Sequence, residues 1–189
     1  MAAAFFCDEA LRLAEANDLG YRISVHKHLQ RLDRVWIESP IYFVTVCTFK
    51  RRPILARDAV ADVLVDELRH ARARHCWAVG SYVIMPDHVH FFCAPERDAK
   101  TLSDFMREWK SWTSRRIRAV LPRPATAATK TSADTTLWQR EFFDHVLRSE
   151  ESYAEKWNYV RDNPVRAGLV TSSDHWPYLG RVEFLEEWP

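Results

Sequence analysis

Residues 81–95 read SYVIMPDHVHFFCAP, and this stretch decides the fold expected for the chain. Two apolar runs flank Pro86-Asp87, which is a turn signal, so the short link predicts two neighbouring antiparallel strands. Side chains alternate between the two faces of a strand, which places His88 and His90 on the same face. The intervening positions are predicted to face the core: Val89, Phe91 and Cys93. Two imidazoles on one face of a strand make half of a divalent-metal site.

The segments around this hairpin show strand and helix patterns. Residues 41–49 (IYFVTVCTF) are rich in β-branched and aromatic residues and predict a strand. Asp58 is the expected N-cap of a helix whose apolar residues recur every three or four positions. The remaining predicted elements are a helix over 101–120, a strand over 137–147 and a helix over 149–162.

The order of these elements predicts the fold class. Strand, helix, strand, strand, helix, strand is the split βαβ pattern, an α+β fold with a ferredoxin-like or RRM-like antiparallel sheet and helices on one face. In that fold the other face of the sheet stays open for a ligand or nucleic acid. His88 and His90 would lie on this open face.

The helix over 101–120 has two chemically different sides at about 100° per residue. Its predicted core side carries Leu102, Phe105, Met106, Trp109, Trp112, Ile117 and Val120. Its opposite side carries Arg107, Lys110, Ser114 and Arg118. Arg116 is an exception because it falls inside the apolar sector.

Composition divides the chain into three parts and limits its class. We expect an N-terminal extension over 1–39, a domain over 40–180 with a flexible Ala/Thr/Pro-rich insertion over 121–136, and an acidic C-terminal tail over 181–189. The net charge of +1 means that any nucleic-acid surface must come from local clustering of charge. Four widely spaced cysteines, no signal peptide and no apolar run of about 20 residues predict a cytoplasmic protein without membrane association.

The last predicted helix carries a tyrosine that its own packing does not explain. The apolar stripe of that helix consists of Tyr153, Ala154, Trp157 and Val160. Tyr159 lies roughly 160° from the centre of this stripe, and Asn163 follows it one helical turn later. A phenol is a weak nucleophile unless its deprotonation is assisted, and a divalent cation can polarise a phosphodiester. The residues therefore suit a tyrosine nucleophile beside a metal.

The candidate metal ligands are mixed in type. His88 and His90 would supply two nitrogens, and Asn163, or alternatively Glu155, could supply an oxygen. Mg²⁺ and Mn²⁺ prefer oxygen-rich sets, so this donor set suits them less naturally. It does leave the ion available to substrate oxygens.

Several motifs in this order resemble one known family. HVH after YVIMPD, followed by NYVRDNPVRAGLV and HWPY, closely resembles the REP-associated tyrosine transposases, which are HUH single-strand transposases with one catalytic tyrosine. The segments YFVTVCTFKRRPIL, LSDFMREWKSWTSRRI and WQREFFDHVLRSEE resemble the corresponding family segments. The resemblance covers about residues 34–178, whereas the insertion over 121–136 does not match.

The resemblance implies roles for individual residues. It makes His88, His90 and Asn163 the ligands of a divalent metal, Mg²⁺ or Mn²⁺, and Tyr159, on a C-terminal helix, the nucleophile. Such enzymes cut single-stranded DNA, often beside an imperfect hairpin, and form a 5′-phosphotyrosine while releasing a 3′-OH. The implied partner is single-stranded or hairpin DNA, bound by a monomer or a homodimer.

In this context the basic residues are candidates for contacts with the DNA backbone. They are Lys50, Arg51 and Arg52 at a strand end and Arg107, Lys110 and Arg118 on a helix, although charge on a helix is usually a solvated face. Lys156, one turn before Tyr159, could stabilise a phosphate. Two alternatives stay open: a hairpin-binding module with little catalysis, and a hydrolase in which water attacks and Tyr159 is dispensable.

Overall fold

The computed structural model describes residues 40–121, 136–147 and 153–185. The predicted N-terminal extension (1–39) and nearly all of the predicted insertion (121–136) lie outside the described residues. The same holds for residues 186–189 of the predicted tail.

A five-stranded sheet forms the centre of the fold. Its strands are β1 (Tyr42–Cys47), β2 (Trp77–Ile84), β3 (His88–Pro95), β4 (Phe143–Val146) and β5 (Leu179–Arg181). The order across the sheet is β4-β1-β3-β2-β5, and every neighbouring pair is antiparallel. The first four strands have the arrangement of a ferredoxin-like sheet, with β5 added beside β2. The predicted α+β fold class is confirmed.

Three helices lie on one face of this sheet. They are α1 (Asp58–Arg69), α2 (Ala71–His75) and α3 (Leu102–Val120). The side chain of Thr101 caps α3 by accepting a hydrogen bond from the backbone N–H of Asp104 at 3.1 Å. The main core lies between these helices and the sheet and includes Val44, Val46, Leu64, Val89, Phe91, Phe105 and Trp109. Among the described residues no helix is long and apolar enough to cross a membrane.

Helix α3 departs from its predicted core side at two positions. Trp112 and Val120 were expected on the core side but are 42% and 43% exposed. Arg116 lies in the apolar sector because it pairs with two carboxylates of α1: it contacts Asp66, and its Nη1 lies 2.8 Å from Glu67 Oε1. The polar contact between α1 and α3 thus replaces an apolar one at this end of the helix.

The second face of the sheet is covered at its centre, and the expectation that it stays open is wrong there. Helix α4 (Tyr153–Arg161) packs on this face, followed by the short α5 (Asn163–Arg166). Phe92, which shares the face of the histidines, is completely buried. Its ring centroid lies 4.6 Å from that of Tyr153 and 6.4 Å from that of Trp157. Of the predicted apolar stripe of α4, Tyr153, Trp157 and Val160 cover the sheet, whereas Ala154 is exposed.

Two element boundaries differ from the prediction for physical reasons. Strand β4 is shorter than 137–147: Trp138 forms only an isolated antiparallel bridge with Thr48, and its Nε1 donates to Thr113 Oγ1 of α3 at 2.9 Å. Helix α4 ends at Arg161, and α5 then begins at Asn163 with a proline in its first turn. Gly168 follows α5 with φ of +68°, the left-handed conformation that glycine adopts without strain.

The C-terminal segment is part of the domain. The predicted boundary between residues 180 and 181 falls inside β5, so the start of the predicted tail is corrected. The chain continues along β2, where the N–H of Val182 donates to the carbonyl of Gly80 at 3.1 Å. Leu185 is 1% exposed, and a Cβ on Gly80 would lie 2.8 Å from its Cδ1. An alanine at position 80 would therefore displace Leu185 from the buried cluster that it forms with Phe92 and Val160 on the second face of the sheet.

Leu185→Ala is expected to lower the free energy of unfolding by about 2–5 kcal/mol, because it removes a completely packed side chain. The neighbouring Phe184 is 62% exposed, so Phe184→Ala serves as a control that should change stability by about 0.5 kcal/mol or less. Urea denaturation of both variants measures the difference. Equal stabilities would mean that the C-terminal segment does not contribute to the core.

Candidate metal and nucleophile site

His88 and His90 project from β3 on one face, as the alternation of the strand predicts. Their ring centroids lie 4.6 Å apart, and the ring planes are nearly perpendicular at 82°. The predicted core positions between and after them, Val89, Phe91 and Cys93, are all completely buried. The histidines are therefore neighbours because the core fixes the register of β3.

The ring of His88 is oriented by a carboxylate. His88 Nδ1 lies 2.7 Å from Asp87 Oδ1, and Arg51 Nε lies 2.9 Å from Asp87 Oδ2. The backbone carbonyl of Asp87 accepts from the N–H of Thr48 at 2.9 Å and from its hydroxyl at 3.1 Å, which holds the turn. Asp87 thus connects a fixed turn to the imidazole and directs Nε2 of His88 away from it.

The ring of His90 is oriented from the neighbouring strand. Thr45 lies opposite His90 in the pairing of β1 with β3, and Thr45 Oγ1 lies 2.8 Å from His90 Nδ1. Phe43 stacks on the same imidazole with ring centroids 5.3 Å apart and planes 21° apart. With both Nδ1 atoms engaged, the Nε2 atoms of the two histidines are the nitrogens suited to binding a cation.

The surroundings keep both imidazoles neutral. Burial is the largest cause that lowers the pKa of His88, although Asp87 partly opposes it. Burial lowers the pKa of His90 much further, and the positive charges of Arg51, Arg166 and Lys156 add to the shift. Burial alone would raise the pKa of Asp87, but the hydrogen bond from His88 and the charge of Arg51 help to outweigh it and lower this pKa. Neutral imidazoles are the form that binds metals.

Tyr159 is 53% exposed, as its position outside the apolar stripe of α4 predicts. The guanidinium carbon of Arg166 lies 4.2 Å from the centroid of the Tyr159 ring. Arg166 Nη2 donates to the backbone carbonyl of Tyr159 at 2.6 Å and also contacts Asn163 Oδ1. Asn163 and Tyr159 are therefore held together by one arginine.

Helix α4 is anchored to the sheet near the histidines. The hydroxyl of Tyr153 accepts a hydrogen bond from the N–H of Ser81 at 3.0 Å, beside an irregularity in β2. Lys156 Nζ lies 5.5 Å from the centroid of Phe43, the residue that stacks on His90. Glu155, the alternative oxygen ligand, lies on the exposed side of the helix.

Of the basic residues predicted to bind DNA, Lys50, Arg51 and Arg52 lie in the turn after β1. Arg51 turns inward to Asp87 and to Cys47 Sγ, which lies 2.7 Å from its Nη1. Arg52 Nε donates to the carbonyl of Phe49 at 3.3 Å. Lys50 and Arg51 both have positive φ, 56° and 53°, so this turn is strained.

The basic side of α3 is separated from the histidines by the sheet. Lys110 Nζ donates to the carbonyls of residues 139, 140 and 141, each at 3.1 Å, which ties the segment before β4 to α3. Arg107 pairs with Asp104 at 2.6 Å on its own helix. Arg118 is exposed near the end of α3. These three residues do not join the histidine site.

The residues that sequence reasoning missed are Thr45, Asp87 and Arg166. Asp87 could have been found because it immediately precedes His88. Arg166 lies three residues after Asn163, a spacing that predicts contact on a helix. Thr45 is 45 residues from His90, and only the strand register brings them together.

The donor set fits a divalent cation only in part. In the described part of the chain, no group of three or more His, Cys, Asp or Glu side chains is arranged to hold a metal. Two oriented, neutral imidazoles are suited to a cation, and Asn163 offers an amide oxygen that is held by Arg166. A complete coordination sphere would need oxygens from a substrate or solvent.

Comparisons with known proteins identify the family of the chain. The family model described as "Transposase IS200 like" matches residues 38–163, about two thirds of the chain. The chain belongs to the IS200-like transposase family. It is 26% identical over 150 residues to the REP-associated tyrosine transposase of Escherichia coli K12, covering 77% of this chain and 78% of that protein. The resemblance to REP-associated tyrosine transposases is confirmed, and the protein is an enzyme of transposition.

A solved structure has the same fold. The REP-associated tyrosine transposase bound to a REP hairpin superposes with a TM-score of 0.61 at 21% sequence identity. The match covers 80% of this chain and 82% of that one. It supports the architecture described above for this transposase.

Asp87→Asn is expected to weaken the binding of Mn²⁺ by about tenfold, because a neutral amide orients the His88 ring less strongly than a carboxylate. Asp98→Asn changes an exposed carboxylate outside the site and serves as the control. Titration of each variant followed by the electron paramagnetic resonance signal of free Mn²⁺ measures the affinity. Unchanged affinity in Asp87→Asn would show that Asp87 does not orient a metal ligand.

Proposed function

We propose that this transposase is a divalent-metal-dependent endonuclease and strand transferase that acts on single-stranded DNA beside a hairpin through a 5′-phosphotyrosine. The contact between Arg166 and Tyr159 carries the proposal. Arg166 stacks on the phenol ring, touches Asn163, and acts with its charge on His90. These contacts support a single site that contains the candidate nucleophile and the candidate metal ligands.

The nucleophile in this proposal is Tyr159 Oη. It attacks the phosphorus of a phosphodiester, and the new O–P bond forms as the bond from phosphorus to the 3′ oxygen breaks. The phenolic proton passes to solvent, and the departing 3′ oxygen takes up a proton and leaves as a 3′-OH. The 5′ phosphate stays on Tyr159, so the ester is conserved and no nucleotide cofactor is required for rejoining.

The other residues bind and orient. His88, His90 and Asn163 would hold Mg²⁺ or Mn²⁺, which when bound supplies polarisation of the phosphodiester and partial neutralisation of its charge. Lys156 and Arg166 supply positive charge beside His90, where the phosphate would lie. The exposure of Tyr159 supports this role, because a buried phenol could not reach a DNA strand.

The proposed assembly is a monomer. Helix α4 packs on the sheet of its own chain through Tyr153 and Trp157, so both halves of the site come from one chain. This packing supports a site formed within a single copy of the chain. Hairpin DNA is the proposed partner, since the structural relative with the same fold is described as bound to a REP hairpin.

Wild-type protein mixed with hairpin DNA labelled at its 3′ end and Mn²⁺ is expected to carry the label on a denaturing protein gel, because the fragment 3′ to the cut stays covalently attached through its 5′ phosphate. Tyr159→Phe should reduce the adduct by at least about a thousandfold, since it removes the attacking oxygen. Tyr178→Phe is the matched control. The hydroxyl of Tyr178 donates to Asp58 Oδ1 at 2.8 Å on the face of the sheet that carries α1, and removing this hydroxyl should leave the adduct intact.

Two outcomes would contradict the proposal. Cleavage that survives Tyr159→Phe and leaves no adduct would indicate a hydrolase in which water attacks. Salt-sensitive hairpin binding without cleavage, across a panel of hairpins and with both Mg²⁺ and Mn²⁺, would indicate a binding module.

Lys156→Ala is expected to weaken DNA binding and to reduce the slope of log affinity against log salt by about 0.7, the value for one phosphate contact with a single strand. Arg118→Ala is the comparison, because Arg118 lies on α3, behind the sheet. Fluorescence anisotropy at several salt concentrations measures both slopes. A larger change in Arg118→Ala would move the DNA path to the face that carries α3.

A further inference from the structure

Arg166 occupies the oxygen that the proposed metal would need. Its Nη2 contacts Asn163 Oδ1 and also donates to the carbonyl of Tyr159 at 2.6 Å. The stacking on the Tyr159 ring, with the guanidinium carbon 4.2 Å from the centroid, fixes the guanidinium between the two residues. A divalent cation at Asn163 Oδ1 would therefore lie beside a positive guanidinium.

The rest of the site opposes a cation as well. Lys156 Nζ lies 5.5 Å from the centroid of Phe43, which stacks on His90, and Arg51 contacts the carboxylate that orients His88. The candidate ligands, two neutral imidazoles and an amide, carry no negative charge. Asp87, which contacts His88, is already paired with Arg51 at 2.9 Å. A divalent cation bound here would have only neutral ligands and would lie near other positive charges. Its binding is therefore electrostatically unfavourable unless an anion binds at the same time.

A phosphodiester would relieve both conflicts. Arginine presents planar donors that match phosphate oxygens, and a charge-assisted hydrogen bond is stronger than one to a neutral amide. A phosphate between Lys156 and Arg166 would draw the guanidinium away from Asn163 Oδ1. The amide oxygen would then be released on the side of the histidines, and the phosphate charge would offset the local repulsion.

We propose that Arg166 is a phosphate-responsive latch on Asn163, so that DNA and the divalent metal bind this site cooperatively. This inference rests on the proposed function, because it takes His88, His90 and Asn163 as the metal ligands. Arg166 is a positioning residue in the DNA-free protein and contacts the phosphate in the complex. By linkage, DNA should tighten metal binding by the same factor by which metal tightens DNA binding.

The test measures binding in the Tyr159→Phe background, where cleavage cannot interfere. Mn²⁺ affinity is measured by electron paramagnetic resonance with and without an oligothymidylate of about 16 nucleotides, at low salt, where backbone-driven binding saturates. The expected result is Mn²⁺ binding about tenfold or more tighter with DNA. Equal affinity with and without DNA would overturn the latch.

Arg166→Ala separates the latch from a simple helix contact. In the same background it should tighten Mn²⁺ binding without DNA, because Asn163 is released and one positive charge is removed. The factor by which DNA tightens Mn²⁺ binding should fall towards one in this variant. Unchanged DNA-free affinity in this variant would also overturn the proposal. The control is Arg161→Ala, which removes an arginine that bonds Ser173 Oγ at 3.1 Å and also contacts Asp174.

Further variants keep the result interpretable. If Arg166→Ala does not fold, Arg166→Lys retains the charge without the planar fork, and its coupling should be lower than wild type. Wild-type coupling in Arg166→Lys would count against the latch. His88→Ala distinguishes the two proposals: if it leaves Mn²⁺ binding unchanged, the metal site itself is wrong. If it abolishes Mn²⁺ binding while DNA has no effect on the parent, only the latch is wrong.

Discussion

The pairing of β3 with β1 is the constraint on which the site depends. Val89 and Phe91 are completely buried beneath the helices, and each contributes about 1.5–3 kcal/mol through burial. A slip of one residue would expose both and turn His88 and His90 into the core. The same register places Thr45 beside His90. The histidines are therefore positioned by the hydrophobic core, before any cation or DNA contributes.

The second face of the sheet carries both buried packing residues and the candidate metal ligands. Tyr153 and Trp157 cover Phe92 at the centre, and this packing sets the position of α4. Tyr159 projects from the opposite side of the same helix and stays exposed. The proposed nucleophile is thus positioned by the packing of its helix and not by burial of its own ring, which leaves the phenol accessible to solvent.

The periodicity of apolar residues predicted the features of the fold that depend on local sequence. It placed His88 and His90 on one face, ordered the strands and helices, and set Tyr159 apart from the stripe of α4. It could not predict contacts made by register or by loops: Lys110 bonds carbonyls about 30 residues away that only tertiary packing brings to it. The burial of Leu185 was not predicted, because the acidic composition of residues 181–189 indicated an exposed tail.

The electrostatics of the site follow from its position on a sheet face. Burial keeps the imidazoles neutral, and the corner between α4 and α5 brings Lys156 and Arg166 to the same place. At an effective dielectric of about 20, two like charges about 4 Å apart repel by about 4 kcal/mol. A site built from neutral ligands and surrounding cations is therefore poorly suited to a free metal ion but well suited to a metal accompanied by a phosphate. In the proposed reaction, selectivity for a nucleic-acid strand would come from the charge balance at this site and would not require a strongly basic protein; the net charge of the chain is only +1.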